Sequence, residues 1–123
     1  MRRRFTQDDI DRYADLSGDR NPLHVAPEFA ATTRFGGTIA HGLFVAAYAA
    51  QELARPGPDD EFVPYTVELI FVRPVPSGSE VTVVSAPAEQ GRELHARIDD
   101  ETAVVVRGQP LSDPPASLED TPL

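Results

Sequence analysis

The chain has 123 residues, enough for one compact domain, and a formal net charge of −9, with arginine supplying all eleven basic side chains. So acidic a balance argues against nucleic acid, whose affinity rests on neutralised phosphates, and against anionic membranes. The absence of cysteine excludes disulfides, thiolate catalysis and thiolate metal sites.

The three histidines, His24, His41 and His95, do not follow the spacing of a metal motif such as H-E-x-x-H, so no metal is expected. No apolar run approaches the ~20 residues that span a bilayer. Arg2-Arg3-Arg4 looks like the basic start of a signal peptide, but polar residues follow instead of an apolar h-region. A cytoplasmic protein is therefore expected. Limited burial in so small a domain makes dimerisation useful.

Thr6 followed by Asp9 resembles a capping box, with Asp in place of Glu or Gln. Ile10, Tyr13 and Ala14, joined by Leu16, recur at helical spacing and predict a helix over 7–16 that Gly18 ends. Asn21-Pro22 signals a turn, so 19–25 is expected to be irregular. Pro27 and Glu28 suit the first turn of a short helix to about Thr32. From His41 to Leu53 the residues are mostly apolar on every side, which predicts a buried central helix. Arg55-Pro56-Gly57-Pro58 ends it.

The period then changes to two. Strands are predicted over 63–73, 80–86, 92–98 and 102–108, with short spacings that suggest antiparallel neighbours. Leu94, Ala96 and Ile98 share one face, which turns His95 outward. Residues 110–123 hold Pro110, Pro114, Pro115 and Pro122 and read as a disordered tail after a single domain over 1–109. Helices followed by an antiparallel sheet make the class α+β.

Asp19 and His24 lie five apart in a constrained loop before the central helix. A carboxylate with an imidazole is a standard pair for proton transfer. The start of the central helix offers unpaired amides and a favourable dipole for developing negative charge. There Gly42 lets a ligand approach the backbone. The same residues have plainer readings. Asp19 suits a turn, His24 a structural hydrogen bond, and His41 a brace for the turn before Gly42.

Tyr13-Ala-Asp-Leu-Ser-Gly-Asp-Arg-Asn-Pro-Leu-His24, Phe29-Ala-Ala-Thr-Thr33 and Ile39-Ala-His-Gly42 resemble, in order, the signature of MaoC-like dehydratases and (R)-specific enoyl-CoA hydratases. The match runs over about residues 5–54, with a weaker echo at Phe71-Val-Arg-Pro-Val-Pro-Ser-Gly-Ser-Glu-Val81. The resemblance implies a hot-dog fold, a central helix wrapped by an antiparallel sheet and usually dimerised. It implies a catalytic dyad at Asp19 and His24, an oxyanion donor at the Gly42 amide, and Asn21 holding the loop. The implied reaction is reversible syn hydration of a trans-2-enoyl thioester to an (R)-3-hydroxyacyl thioester, without metal or redox cofactor.

The substrate implied is an acyl-CoA or acyl-carrier-protein thioester, and Arg34 and Arg73 are candidates to reach its phosphates. The assembly implied is a homodimer, or a heterodimer in which this chain is the structural half. A thioesterase would instead need a carboxylate near the central helix, where Glu52 stands. Three departures accompany the resemblance. Ala26 occupies a position commonly Asp, the start at Arg2 leaves a shortened first strand, and 87–101 is short and polar.

Overall fold

The sequence builds its elements from local signals that can be followed one by one in a computed structural model, which describes residues 1–53 and 65–110. The order is β1 (Arg2–Arg4), α1 (Gln7–Ser17), α2 (Pro22–Val25), α3 (Pro27–Ala31), α4 (Gly42–Ala50), β2 (Tyr65–Phe71), β3 (Glu80–Ala86), β4 (Arg92–Ile98) and β5 (Glu101–Pro110). Thr6 caps α1 by accepting the Asp9 N–H at 3.2 Å. Gly18, at φ 82°, ends it with its own N–H donated to the Ala14 carbonyl, a left-handed cap that glycine adopts without strain.

Residues 19–25 are not irregular throughout, as expected, because α2 forms one helical turn there. Pro22 presets φ at the first helical position, and the Asn21 side chain accepts the Leu23 N–H at 3.0 Å. Ala26 begins α3 with no side-chain cap. Helix α4 stops at Ala50 and passes into a turn through Leu53. The predicted stop at Arg55–Pro58 and the predicted strand start at Val63 lie outside the described residues, as does 111–123. Pro110, assigned to the tail, closes β5 opposite Tyr65.

The five strands form one antiparallel sheet in the order β1-β3-β4-β5-β2. Expected pairing between chain neighbours therefore fails for β2, which pairs with β5 instead of β3. The connection 72–79 carries Pro74 and Pro76 and does not fold as a hairpin. Val72 and Arg73 donate to the Ala103 carbonyl, Ala40 to the Val75 carbonyl, and Ser77 to the Thr38 carbonyl. These bonds carry the chain beneath the loop before α4, so that β3 emerges between β1 and β4. The sheet edge at β1 is three residues long.

Helix α4 packs on β4 and β5. Val45 and Ala49 meet Leu94, Val106 and Val81 in a core that Phe5 and Ile10 complete, all essentially sealed from solvent. On the opposite face of the sheet, His95 faces outward as predicted. Its Nε2 lies 2.8 Å from Glu93 Oε2, and Arg107 bridges Glu93 and Glu68 at 2.6 and 3.1 Å. Among the described residues no helix is long and apolar enough to cross a membrane.

Candidate active site

Gly18 ends α1 and throws the chain into the loop that carries Asp19. The Asp19 N–H donates to Ser17 Oγ at 3.1 Å, and its Oδ1 accepts the Asn21 N–H at 3.3 Å. His24 follows on α2, with its side chain only 13% exposed against 56% for Asp19. His24 Nδ1 lies 2.8 Å from the Ile39 carbonyl. A carbonyl can only accept, so Nδ1 carries a proton, and in the neutral ring the Nε2 lone pair is then open. That Nε2 lies 3.9 Å from Asp19 Oδ2, too far for a direct hydrogen bond. Two bonds of ordinary length, ~2.8 Å each, bridge such a gap through one water.

His41 sits behind this pair. Its Nε2 donates to the Asp19 backbone carbonyl at 2.8 Å, so it braces the Asp19 loop rather than the turn before Gly42 alone. Its Nδ1 is buried without a partner. The rings of His41 and His24 stack with centroids 3.9 Å apart. Ring contacts then continue from His41 to Tyr13 at 4.7 Å, Tyr13 to Phe44 at 4.7 Å, and Phe44 to the core residue Phe5 at 4.9 Å. The site is thereby joined to the core by packing.

Gly42 opens α4. The helical ladder begins with Phe44 and Val45, both donating to the His41 carbonyl, so the Gly42 and Leu43 amides precede it and point out of the helix end. A Cβ on Gly42 would lie 2.8 Å from the Phe71 ring. Glycine here thus lets the Phe71 ring lie close, as well as letting a ligand approach. Tyr13, Asp19, His24, His41, Gly42 and Phe71 line one cleft of about 470 Å³. The structure therefore gathers Asp19, His24, His41 and Gly42 in one place, with Asn21 holding the turn between the first two.

Two supporting residues were not legible in the sequence. Tyr13 read only as a core position, although it shares a helix face with the cleft residue Ser17. Gln7 donates from Nε2 to the His24 carbonyl at 2.8 Å and accepts from Thr38 Oγ1 at 2.5 Å. No local pattern marks that long-range tie.

Asp19, His24 and His41 offer ligand atoms within 4.8 Å of one another, yet the geometry suits water better than an ion. Imidazole lone pairs lie in the ring planes, and two stacked planes 26° apart do not converge on one nearby centre. One nitrogen of each ring is also committed to a carbonyl. The cluster fits a neutral imidazole and a carboxylate sharing a water beside a helix N-terminus.

The sequence profile described as MaoC like domain matches residues 1–108. The chain belongs to the MaoC-like domain family. It is 36% identical over 91 residues to the 3-hydroxybutyryl-CoA dehydratase of Methylorubrum extorquens, a span covering 72% of this chain and 57% of the relative. The (R)-hydratase from Aeromonas caviae involved in PHA biosynthesis superposes with a TM-score of 0.66 at 32% identity, over 88% of each chain. HtdX of Mycobacterium tuberculosis superposes with a TM-score of 0.77 at 27% identity, over 90% of this chain and 47% of that one. The chain thus spans about half the length of some relatives it matches. This MaoC-like chain has the hot-dog fold of those hydratase structures, its central helix α4 held against the antiparallel sheet.

Proposed function

We propose that this chain is a hydro-lyase that reversibly hydrates trans-2-enoyl thioesters to (R)-3-hydroxyacyl thioesters, through a domain spanning residues 1–109. The observation that carries the reading is the open Nε2 of His24 facing Asp19 Oδ2 across 3.9 Å, beside the unladdered amides of α4. In the hydration direction Asp19 takes a proton from the bridging water as its oxygen adds to the β-carbon. His24 orients that water, and the proton removed from it passes to the α-carbon on the same face, from Asp19 directly or by way of His24 Nε2. One proton enters the pair from water and one leaves it to the α-carbon, so the pair ends each turnover as it began. The Gly42 amide and the α4 dipole meet the charge that develops on the thioester oxygen. Read in reverse, the same groups remove water.

The relatives support the substrate class, since one is named a 3-hydroxybutyryl-CoA dehydratase and another an (R)-hydratase. An acyl-CoA is the proposed substrate, with a carrier-protein thioester offering the same chemistry. Geometry disfavours the thioesterase reading. Glu52 lies beyond the far end of α4, which at ~1.5 Å per residue puts it more than ten ångströms along the axis from Gly42. Loss of enoyl absorbance with a series of trans-2-enoyl-CoAs tests the proposal. Release of free thiol without loss of the double bond overturns it.

The working unit is proposed to be a homodimer. Among the described residues edge strand β2 is paired on one side alone, and α4 lies over β4 and β5, so Val67 and Phe71 on the same face stay exposed beside Leu43 and Val72. Apolar side chains along an open strand edge invite a second chain. A heterodimer, with another MaoC-like chain in that place, is the second reading. Sedimentation of the purified chain separates the two, because a stable, active homodimer removes the need for a different partner.

A further inference from the structure

A second cleft meets the first at His24, Gly42 and Phe71, and its charge differs. This smaller cleft, of about 290 Å³, shares His24, Gly42 and Phe71 with the first and reaches Arg34, Phe35 and Arg73. No carboxylate stands among its lining residues, in a chain whose net charge is −9. Arg34 lies over the Phe35 ring, 4.9 Å from its centroid, which holds the guanidinium in place. Among the described residues no carboxylate pairs with it. Arg73 has one nitrogen 3.6 Å from Glu101, and a guanidinium has five N–H donors to share. The first cleft is the opposite in character, with Tyr13, Leu43 and the Asp19 carboxylate in its wall. An apolar acyl chain suits the first cleft, and an anion is repelled there. The second offers an anion two arginines in a cleft that Gly42 also lines.

We infer that Arg34 and Arg73 form a phosphate subsite for the carrier arm of the thioester. The substrate then enters with its acyl chain beside Tyr13 and Leu43, its thioester at Gly42, and a phosphorylated pantetheine arm leaving past Phe35. The inference rests on the hydratase reading only in taking the ligand to be a thioester, and its test does not depend on turnover.

Calorimetric titration of the full chain with CoA, 4′-phosphopantetheine and pantetheine provides that test. CoA is expected to bind at least about tenfold more tightly than pantetheine, as one or two charge-assisted phosphate contacts supply. The R34Q/R73Q double variant is expected to bring CoA to the pantetheine level while leaving pantetheine itself unchanged, which also shows that the site remains folded. Added salt weakens CoA binding in the unmodified chain and not in the variant. Phosphopantetheine binding like CoA assigns the subsite to the phosphate that free coenzyme and carrier protein share. Phosphopantetheine binding like pantetheine assigns it to the nucleotide phosphates of free CoA. Equal affinity for CoA and pantetheine, or unchanged CoA affinity in R34Q/R73Q, overturns the inference. So does a variant that loses only thioesters bearing a carboxylate on the acyl chain. Turnover of a trans-2-enoyl pantetheine thioester separately tests the hydratase reading. Turnover with no preference for CoA sustains that reading and removes the subsite. Arginine-dependent CoA binding without turnover does the reverse.

Discussion

His41 stacks on His24 with ring centroids 3.9 Å apart while its Nε2–H holds the Asp19 carbonyl at 2.8 Å. One buried side chain thus touches both members of the candidate pair, one through its face and the other through its edge. Replacing it separates the two contacts. His41→Phe keeps a ring against His24 and removes an unpartnered buried nitrogen, so stability should change by less than about 1.5 kcal/mol. The Asp19 loop loses its brace, and kcat should fall at least about tenfold with little change in KM. His41→Ala removes the ring as well and should cost about 2 kcal/mol or more. Chemical denaturation beside steady-state kinetics checks both. If the Phe variant turns over at the unmodified rate, the brace is dispensable.

Asp19→Asn keeps an oxygen able to accept the Asn21 N–H that Asp19 Oδ1 now takes at 3.3 Å, but it cannot take a proton from water. Activity toward trans-2-enoyl-CoA should drop about 10²–10⁴-fold, with the melting temperature nearly unchanged. Full turnover by this variant would remove Asp19 from the chemistry.

How far such effects were legible in the sequence depends on how local their causes are. Thr6 with Asp9, and Gly18 after Ser17, act within one helical turn, and the structure shows both as expected. The Asp19–His24 pair was also visible, because its members stand five positions apart in the chain and Asn21-Pro22 fixes the turn between them. The pairing of β2 with β5 was not, since it depends on how Val72 and Arg73 bond to Ala103, some thirty residues on. Gln7 reaches a carbonyl 17 residues away, and Phe71 covers a glycine on a different element. No periodicity or dipeptide encodes contacts of that range.

Ala26 leaves α3 without a side-chain cap, at φ −118° and ψ 92°. That extended conformation is the one an N-cap aspartate adopts when it accepts the amide two or three residues on. Ala26→Asp should stabilise the fold by about 1 kcal/mol, reduced somewhat by Glu28 in the same turn, and should leave kcat unaltered. A urea midpoint that does not rise would show that the Pro27 turn cannot present its amides to the new side chain.

Gly42→Ala brings a methyl group to 2.8 Å from an exposed phenyl ring rather than from backbone. Phe71 can turn aside, so the loss of stability should stay below about 1.5 kcal/mol. The methyl group would then occupy the approach to the helix amides, and kcat should fall by two orders of magnitude or so, the scale of losing one oxyanion donor. In the double variant Gly42→Ala/Phe71→Ala the clash is gone. Activity that returns there would make Phe71 crowding, and not amide access, the cause.

The outer face of the sheet contributes to the acid limb of stability. Hydrogen bonds from Arg107 and His95 hold the Glu93 carboxyl below its ordinary value of 4.5. A carboxyl depressed in the folded state contributes stability that is complete above its unfolded value and disappears as pH falls through the folded one. Melting temperature should therefore be flat on this account from neutrality to about pH 5 and fall below that. Arg107→Met removes the partner that also reaches Glu68 at 3.1 Å. The variant should melt lower than the unmodified chain at pH 7, and the two curves should converge as acidification protonates Glu93 in both. Parallel curves over that whole range would show that the Glu93–Arg107 pair adds nothing to folding.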